Sequence, residues 1–261
     1  MSDGVPTVMV EIAGGVLHAT INRPEKRNAL SRALLAELKR VFSDFAGADE
    51  LRVAVLRGAG DKSFAAGGDL RELAQVRTPE DTRRMADEMH DALDAIRLFP
   101  LPVVAALNGD ALGGGAELAV ACDFRIAASH AHIGFIQGRL NIATAWGGGA
   151  DLMRLVGPAR ALRLLAASER VDAAAAQRLG LVDAVAAPEE ALPALIDRFI
   201  APFLQQAPQV LRAFKALSIG VRKGLPGAAV REIETRHLVE TWVHPDHWQA
   251  ADGILNAKRP T

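Results

Sequence analysis

Two glycine-rich turns are the residues of this 261-residue chain best suited to chemistry: KSFAAGGDL at 62–70 and NGDALGGGAEL at 108–118. Glycine leaves no Cβ between backbone amides and a ligand, and a helix N-terminus adds partial positive charge. Two amides converging on one point would stabilise a developing oxyanion by about 3–4 kcal/mol per donor. The chemistry in view is that of a carbonyl passing through an enolate or a tetrahedral adduct. Taken singly, either loop reads first as a turn and packing element. Neither has the G-x-G-x-x-G spacing of a dinucleotide site or the terminal Gly-Lys-Ser/Thr of a phosphate loop.

Glu117 is an acid in the otherwise apolar stretch AELAVAC, just inside a helix start. By itself it reads as a carboxylate compensating the helix dipole, worth about 0.3–1 kcal/mol. An apolar pocket would raise its pKa and the helix N-terminus would lower it. The other polar groups point less far. Asp69 reads as the cap of a helix over 70–76. His90, alone on a helix, reads as packing or surface. His244 and His247 share a helix face, but Pro245 accounts for HPDHW as a helix start and no third ligand is evident. His130 and His132 are equally unsupported as a pair, so no metal site is expected. Arg83-Arg84, Arg160 and Arg163 read as solvated faces. Cys122, the single cysteine, excludes an internal disulfide and reads as a buried, inert thiol.

The elements that must hold the two loops follow an order of strand, glycine loop and helix. Residues 8–12 and 16–21 read as strands around Ala13-Gly14-Gly15. Ser31 can cap a helix with Leu34, Leu35, Leu38, Val41, Phe42 and Phe45 on one face. Residues 53–57, 103–107, 124–128 and 181–186 read as short buried strands. Thr78-Pro79 opens a helix, a short apolar helix runs from Ala116, another spans 150–155, and Asp172 caps one over 173–179. Beyond about residue 188 the pattern is helical, with Pro208, Pro226 and Pro245 in first turns. Val210, Leu211, Phe214 and Leu217 form one apolar stripe there, and Ile233, His237, Leu238 and Trp242 another; Trp242 and Trp248 read as anchors at a subunit contact.

Composition narrows the function classes. The net charge of −1 and a 5% share of aromatics, with no Tyr, argue against nucleic-acid binding. A 50% hydrophobic and 23% charged chain is not disordered. No apolar stretch reaches the length of a membrane span, and the N-terminus lacks the basic region of a secretory signal. A cytoplasmic protein is expected.

The motifs taken together and in order resemble those of the enoyl-CoA hydratase/isomerase (crotonase) superfamily over nearly the whole chain. NRPEKRNALS (22–31) is similar to its first CoA-binding segment, KSFAAGGDL to its first oxyanion loop, NGDALGGGAELAVACDFRIAA (108–128) to its longest motif, and AWGGGADLMRLVG (145–157) to the next loop and helix. The resemblance implies an α/β fold, a right-handed spiral of ββα units over residues 1–200, and a helical oligomerisation region over 201–261. It implies trimers that pair into hexamers. It implies oxyanion donors at the amides of Gly68 and Gly114, an acid/base role for Glu117, and backbone around Arg27, Ala29 and Ala66 bordering CoA. Arg27 would meet a CoA phosphate, and Leu255 and Lys258 would contact CoA from a neighbouring subunit. CoA would enter as part of the substrate, with no separate cofactor.

The sequence departs from the hydratase pattern at Gln137, where a second glutamate is expected. An amide cannot accept a proton at neutral pH. Gln137 would then orient water or substrate while Glu117 alone moves the proton. Hydratase or isomerase chemistry is the main expectation. Decarboxylation of a malonyl-type thioester, or hydrolysis, is the alternative, because the Trp146 loop resembles that of decarboxylating relatives and adds bulk where the acyl chain should lie. A non-catalytic acyl-CoA binder and an RNA-binding relative are further readings, the last disfavoured by charge.

Overall fold

The computed structural model describes residues 6–257. β1 (Val8–Ala13) and β2 (Val16–Ile21) form an antiparallel hairpin. Gly14 and Gly15 turn it with φ of 56° and 82°, the positive values a two-residue turn demands. α1 (Arg32–Asp44) follows; the Ser31 hydroxyl accepts from the Leu34 amide at 3.2 Å, as its position in the sequence predicts. β3 (Val53–Gly58) pairs parallel to β2. Next come β4 (Ser63–Ala65), α2 (Leu70–Leu73) and α3 (Pro79–Arg97), the last capped by Thr78. β5 (Val103–Leu107), β6 (Asp110–Leu112) and α4 (Gly114–Ala121) repeat the order. So do β7 (Phe124–Ala127), β8 (His132–Gly134) and α5 (Gly148–Val156).

Each repeat adds one strand to each of two sheets and then a helix. The first sheet has the order β1-β2-β3-β5-β7 and ends on β10 (Ala184–Val185). The second has the order β4-β6-β8 and ends on β9 (Arg170–Asp172). Parallel neighbours joined through helices make right-handed crossovers, and the result is the expected spiral of ββα units. α6 (Pro158–Ala167) and α7 (Ala173–Arg178) close it, the latter capped by Asp172 at 2.7 Å.

The second sheet is not legible in the sequence. Its strands are three residues long and lie inside the loops, too short for a two-residue period to register. The expected strand over 181–186 shrinks to Ala184–Val185, and the helix expected from Ala116 begins at Gly114. The expected helix over 70–76 is only four residues long. Asp69 makes no cap bond: its carboxylate meets Arg23 at 2.9 Å instead. A hydrogen-bonded charge pair outweighs a single amide, and the guanidinium holds the Asp69 carboxyl below its usual pKa.

All five residues of β5 are buried because both faces of the first sheet are covered. One face packs on α1 and α3, with Phe42 and Phe99 edge to face at 5.3 Å. The other lies under α8 (Leu192–Leu204), so residue 200, the anticipated end of the core, sits within a helix that packs on the sheet. α9 (Pro208–Arg222), α10 (Gly227–Trp242) and α11 (Pro245–Ala257) complete the chain. Pro226 precedes α10 rather than lying in its first turn. The two apolar stripes do not pack inward: Leu211 is buried, but Phe214 is 64% and Trp242 53% exposed. No helix among the described residues is long and apolar enough to cross a membrane.

Candidate active site

The two glycine loops meet. Backbone bonds from Ala66 to the Arg27 carbonyl, from Leu30 to the Gly67 carbonyl and from Asp69 to the Leu30 carbonyl zip the first loop onto residues 27–30. In that ladder the Gly68 amide points away from residue 30, and it donates to no backbone carbonyl. Gly114 is the first residue of α4, where an amide has no acceptor within its own helix. Gly113, at φ 55°, makes the turn into that helix, and its own amide bonds the Gly134 carbonyl at 2.8 Å. The loops are in close approach: a side-chain carbon on Gly67, itself at φ 104°, would lie 3.1 Å from the Leu112 carbonyl and 3.7 Å from the Gly114 nitrogen.

Gly68, Gly114, Glu117, Gln137, Ala66 and Trp146 all border one cavity of about 290 Å³. Its remaining walls are mostly apolar, with Leu73, Met85, Ile136 and Ile142 among them. Trp146 is packed onto both glycines: a side-chain carbon on Gly114 would overlap its ring, and one on Gly68 would lie 3.5 Å from it. A larger cavity, about 740 Å³, lies elsewhere beside Phe214, Leu217 and Val221 and contains neither glycine loop.

Glu117 is 2% exposed. Its Oε2 accepts from the amides of Trp146 at 2.9 Å and Gly148 at 3.0 Å, and its Oε1 accepts from Gln137 Nε2 at 2.9 Å. Gly148 allows this approach, since a side-chain carbon there would overlap Cβ and Cγ of Glu117. Burial raises the Glu117 pKa, and the three donors pull it back down; the net direction is upward. With Oε2 holding two amides and Oε1 only the Gln137 side chain, Oε1 is the oxygen with a lone pair left to take a proton. Facing an ionised carboxylate, Gln137 must present nitrogen, and its buried Oε1 is left without a partner.

The structure does not bring every expected residue here. Arg27 is exposed, in a left-handed turn at φ 52°, and reaches the site only through the bond from the Ala66 amide to its carbonyl. Ala29 is tied to Arg23 and lines no part of the cavity. Leu255, on α11, is 64% exposed and away from the cavity, and Lys258 lies outside the described residues. His90 borders a different, polar cavity with Arg97 and Arg154. His130 and His132 bond Asp61 and Asp110, and His244 bonds Gln209. Burial pushes the Cys122 thiol up to about 12, as an inert thiol requires. The sequence marks Met85 only as part of the inward apolar stripe of α3, with Met89, Leu93 and Ile96, and gives no sign of Arg97; neither the stripe nor the Thr78-Pro79 start signal shows that this helix reaches the site.

A family model described as Enoyl-CoA hydratase/isomerase matches residues 11–256. A short-chain-enoyl-CoA hydratase of Clostridium acetobutylicum is 39% identical over 183 residues, 70% of each chain. An ethylmalonyl-CoA decarboxylase of Danio rerio is 33% identical over 213 residues, 80% of this chain and 70% of that one. The crystal structure of an enoyl-CoA hydratase from Bacillus anthracis superposes with a TM-score of 0.89 at 31% identity, over 98% of both chains. With paired glycine loops, a buried glutamate beside them and these likenesses, the chain belongs to the enoyl-CoA hydratase/isomerase family and is an acyl-CoA-processing enzyme on the crotonase fold.

Proposed function

We propose that the enzyme adds water to a short-chain 2-enoyl-CoA thioester. The observation that carries this is one buried carboxylate and two unpaired loop amides around a single cavity. The thioester oxygen sits between the Gly68 and Gly114 amides. Ionised Glu117 takes a proton from water at Oε1 as the water oxygen bonds to Cβ, and the double-bond electrons move into an enolate held by the amides. Glu117 then returns the proton to Cα. Gln137 Oε1 accepts the other proton of the water as a hydrogen bond, which satisfies its orphaned lone pairs. No resident metal or redox group enters this scheme; CoA arrives with the substrate. Backbone at Arg27, Ala29 and Ala66, with Leu255 and Lys258 of a neighbouring subunit, would border CoA.

A second reading rests on Gln137. Replacing the second acid by an amide leaves one proton carrier, which suffices for loss of carbon dioxide from a malonyl-type thioester followed by protonation at Cα. Incubation with crotonyl-, longer enoyl- and ethylmalonyl-CoA, read by mass, separates the two. Gain of water on crotonyl-CoA is the expected result; loss of carbon dioxide alone replaces hydration by decarboxylation, and no turnover leaves a binder.

Trp146 sets the length of the acyl chain in this reading. Trp146→Ala is expected to shift the kcat/KM ratio of octenoyl- over crotonyl-CoA upward by about tenfold or more, at a stability cost of about 3–5 kcal/mol. An unchanged ratio removes Trp146 from specificity.

The bare apolar surface of α9–α11, with Phe214, Leu238, Trp242 and Trp248 exposed, supports a homotrimer, or a hexamer of two trimers. Light scattering at the mass of one chain would remove that assembly. A cytoplasmic setting fits a chain whose one thiol is buried and asks for no oxidising compartment.

A further inference from the structure

The loop that holds Glu117 is itself held. Arg97, the last residue of α3, is 8% exposed and uses all three guanidinium nitrogens: Nε to Asp151 at 2.8 Å, one terminal nitrogen to Asp94 at 2.8 Å, the other to the Trp146 carbonyl at 2.7 Å. The guanidinium lies against Gly147, where φ is 85° and a side-chain carbon would come 2.7 Å from a terminal nitrogen. The residues on either side of that glycine, Trp146 and Gly148, carry the two amides that donate to Glu117. Asp151, 3% exposed, also binds Arg222 at 3.0 Å. Arg222 donates to the carbonyls of Val120 at 2.7 Å and Ala121 at 3.0 Å, the C-terminal end of the helix whose first turn carries Glu117. The bonds close a ring: Glu117, the 146–148 loop, Arg97, Asp151, Arg222, and α4 again.

We propose that Arg97 is a positioning residue for the acid/base step, clamping the Trp146 carbonyl so that two loop amides stay aimed at Glu117. The proposal rests on Glu117 as the proton carrier. Arg97 works through orientation rather than through its charge. The charged groups bonded into this network are Asp94 and Arg97 from α3, Asp151 and Arg154 from α5 and Arg222 from α9; Asp110 lies on β6 and Arg125 on β7, with Arg139 at the cavity. The leading influences on the Glu117 pKa are burial and hydrogen-bond donors, with none of these charges among them. Loosening the amides removes what pulls that pKa down, so the carboxyl must titrate at higher pH.

Arg97→Met is expected to lower kcat about tenfold or more with KM changed less than about threefold, and to move the acid limb of kcat/KM up by about one pH unit. Arg97→Lys, which keeps one donor arm and folds more readily, gives a smaller shift in the same direction. Asp94→Asn, which leaves the bonds to Asp151 and Trp146 in place, shifts neither. The titration of the Glu117 carboxyl is followed directly by carbon-13 NMR, with Glu117→Gln as the blank that identifies its signal. An upward shift in the Arg97 variants supports the clamp whatever the turnover; turnover retained by Glu117→Gln counts against the proton-carrier reading instead. Folded Arg97→Lys or Arg97→Met protein with an unmoved Glu117 titration, only its melting temperature lowered, overturns the proposal.

Discussion

Glu117→Gln is expected to lower kcat by about 10²–10⁴ without loss of the fold. The amide oxygen of glutamine can accept from the Trp146 and Gly148 amides just as Oε2 does. Its nitrogen then faces Gln137, which turns over to present oxygen, so every bond of the carboxylate has a replacement. The proton acceptor alone is missing. Linkage gives the sign of the stability change. The folded-state pKa of Glu117 lies above the unfolded value because burial outweighs the donors. Its contribution to stability is therefore present below the unfolded pKa and declines as pH rises through the folded one. At neutral pH the glutamine variant escapes that loss, so its melting temperature should equal or exceed that of the parent. The parent's kcat/KM should fall as acidity rises through the raised pKa, since the base must be ionised. A dead variant that also melts early would mean Glu117 holds the fold together rather than moving protons; full turnover would remove it from the mechanism.

The second large effect concerns the Gly114 amide. Any side chain at Gly114 meets the Trp146 ring, so a single substitution confounds the amide with the indole. In a Trp146→Ala background the ring is gone, and two replacements can be compared. Gly114→Ala keeps the N–H. Gly114→Pro removes it at the first position of a helix, where proline is tolerated. The proline variant is expected to be about 10²–10³ slower in kcat than the alanine variant. Rates within a few-fold of one another, in two folded proteins, would take the Gly114 amide out of the oxyanion site.

Much of this architecture was readable beforehand because its signals are local. Hydrophobic runs of four to six residues (such as 53–57 and 103–107) mark strands buried on both faces, and Ser31, Thr78 and Asp172 cap helices through side chains that reach only three residues ahead. Asp69 carries the same local signal and fails it, because Arg23, distant in sequence, offers a stronger partner.

The chain by itself determined where the glycines, an acid in an apolar stretch and the glutamine at 137 occur, and hence the family and the class of chemistry. Only the tertiary structure decided that Gly68 and Gly114 border one cavity, that Trp146 packs against both, and that Arg97 grips the loop behind Glu117. The reason is physical. Backbone direction, desolvation and the closing of a hydrogen-bonded ring depend on segments from 29 to 71 residues apart, and no local pattern of residue types encodes those contacts.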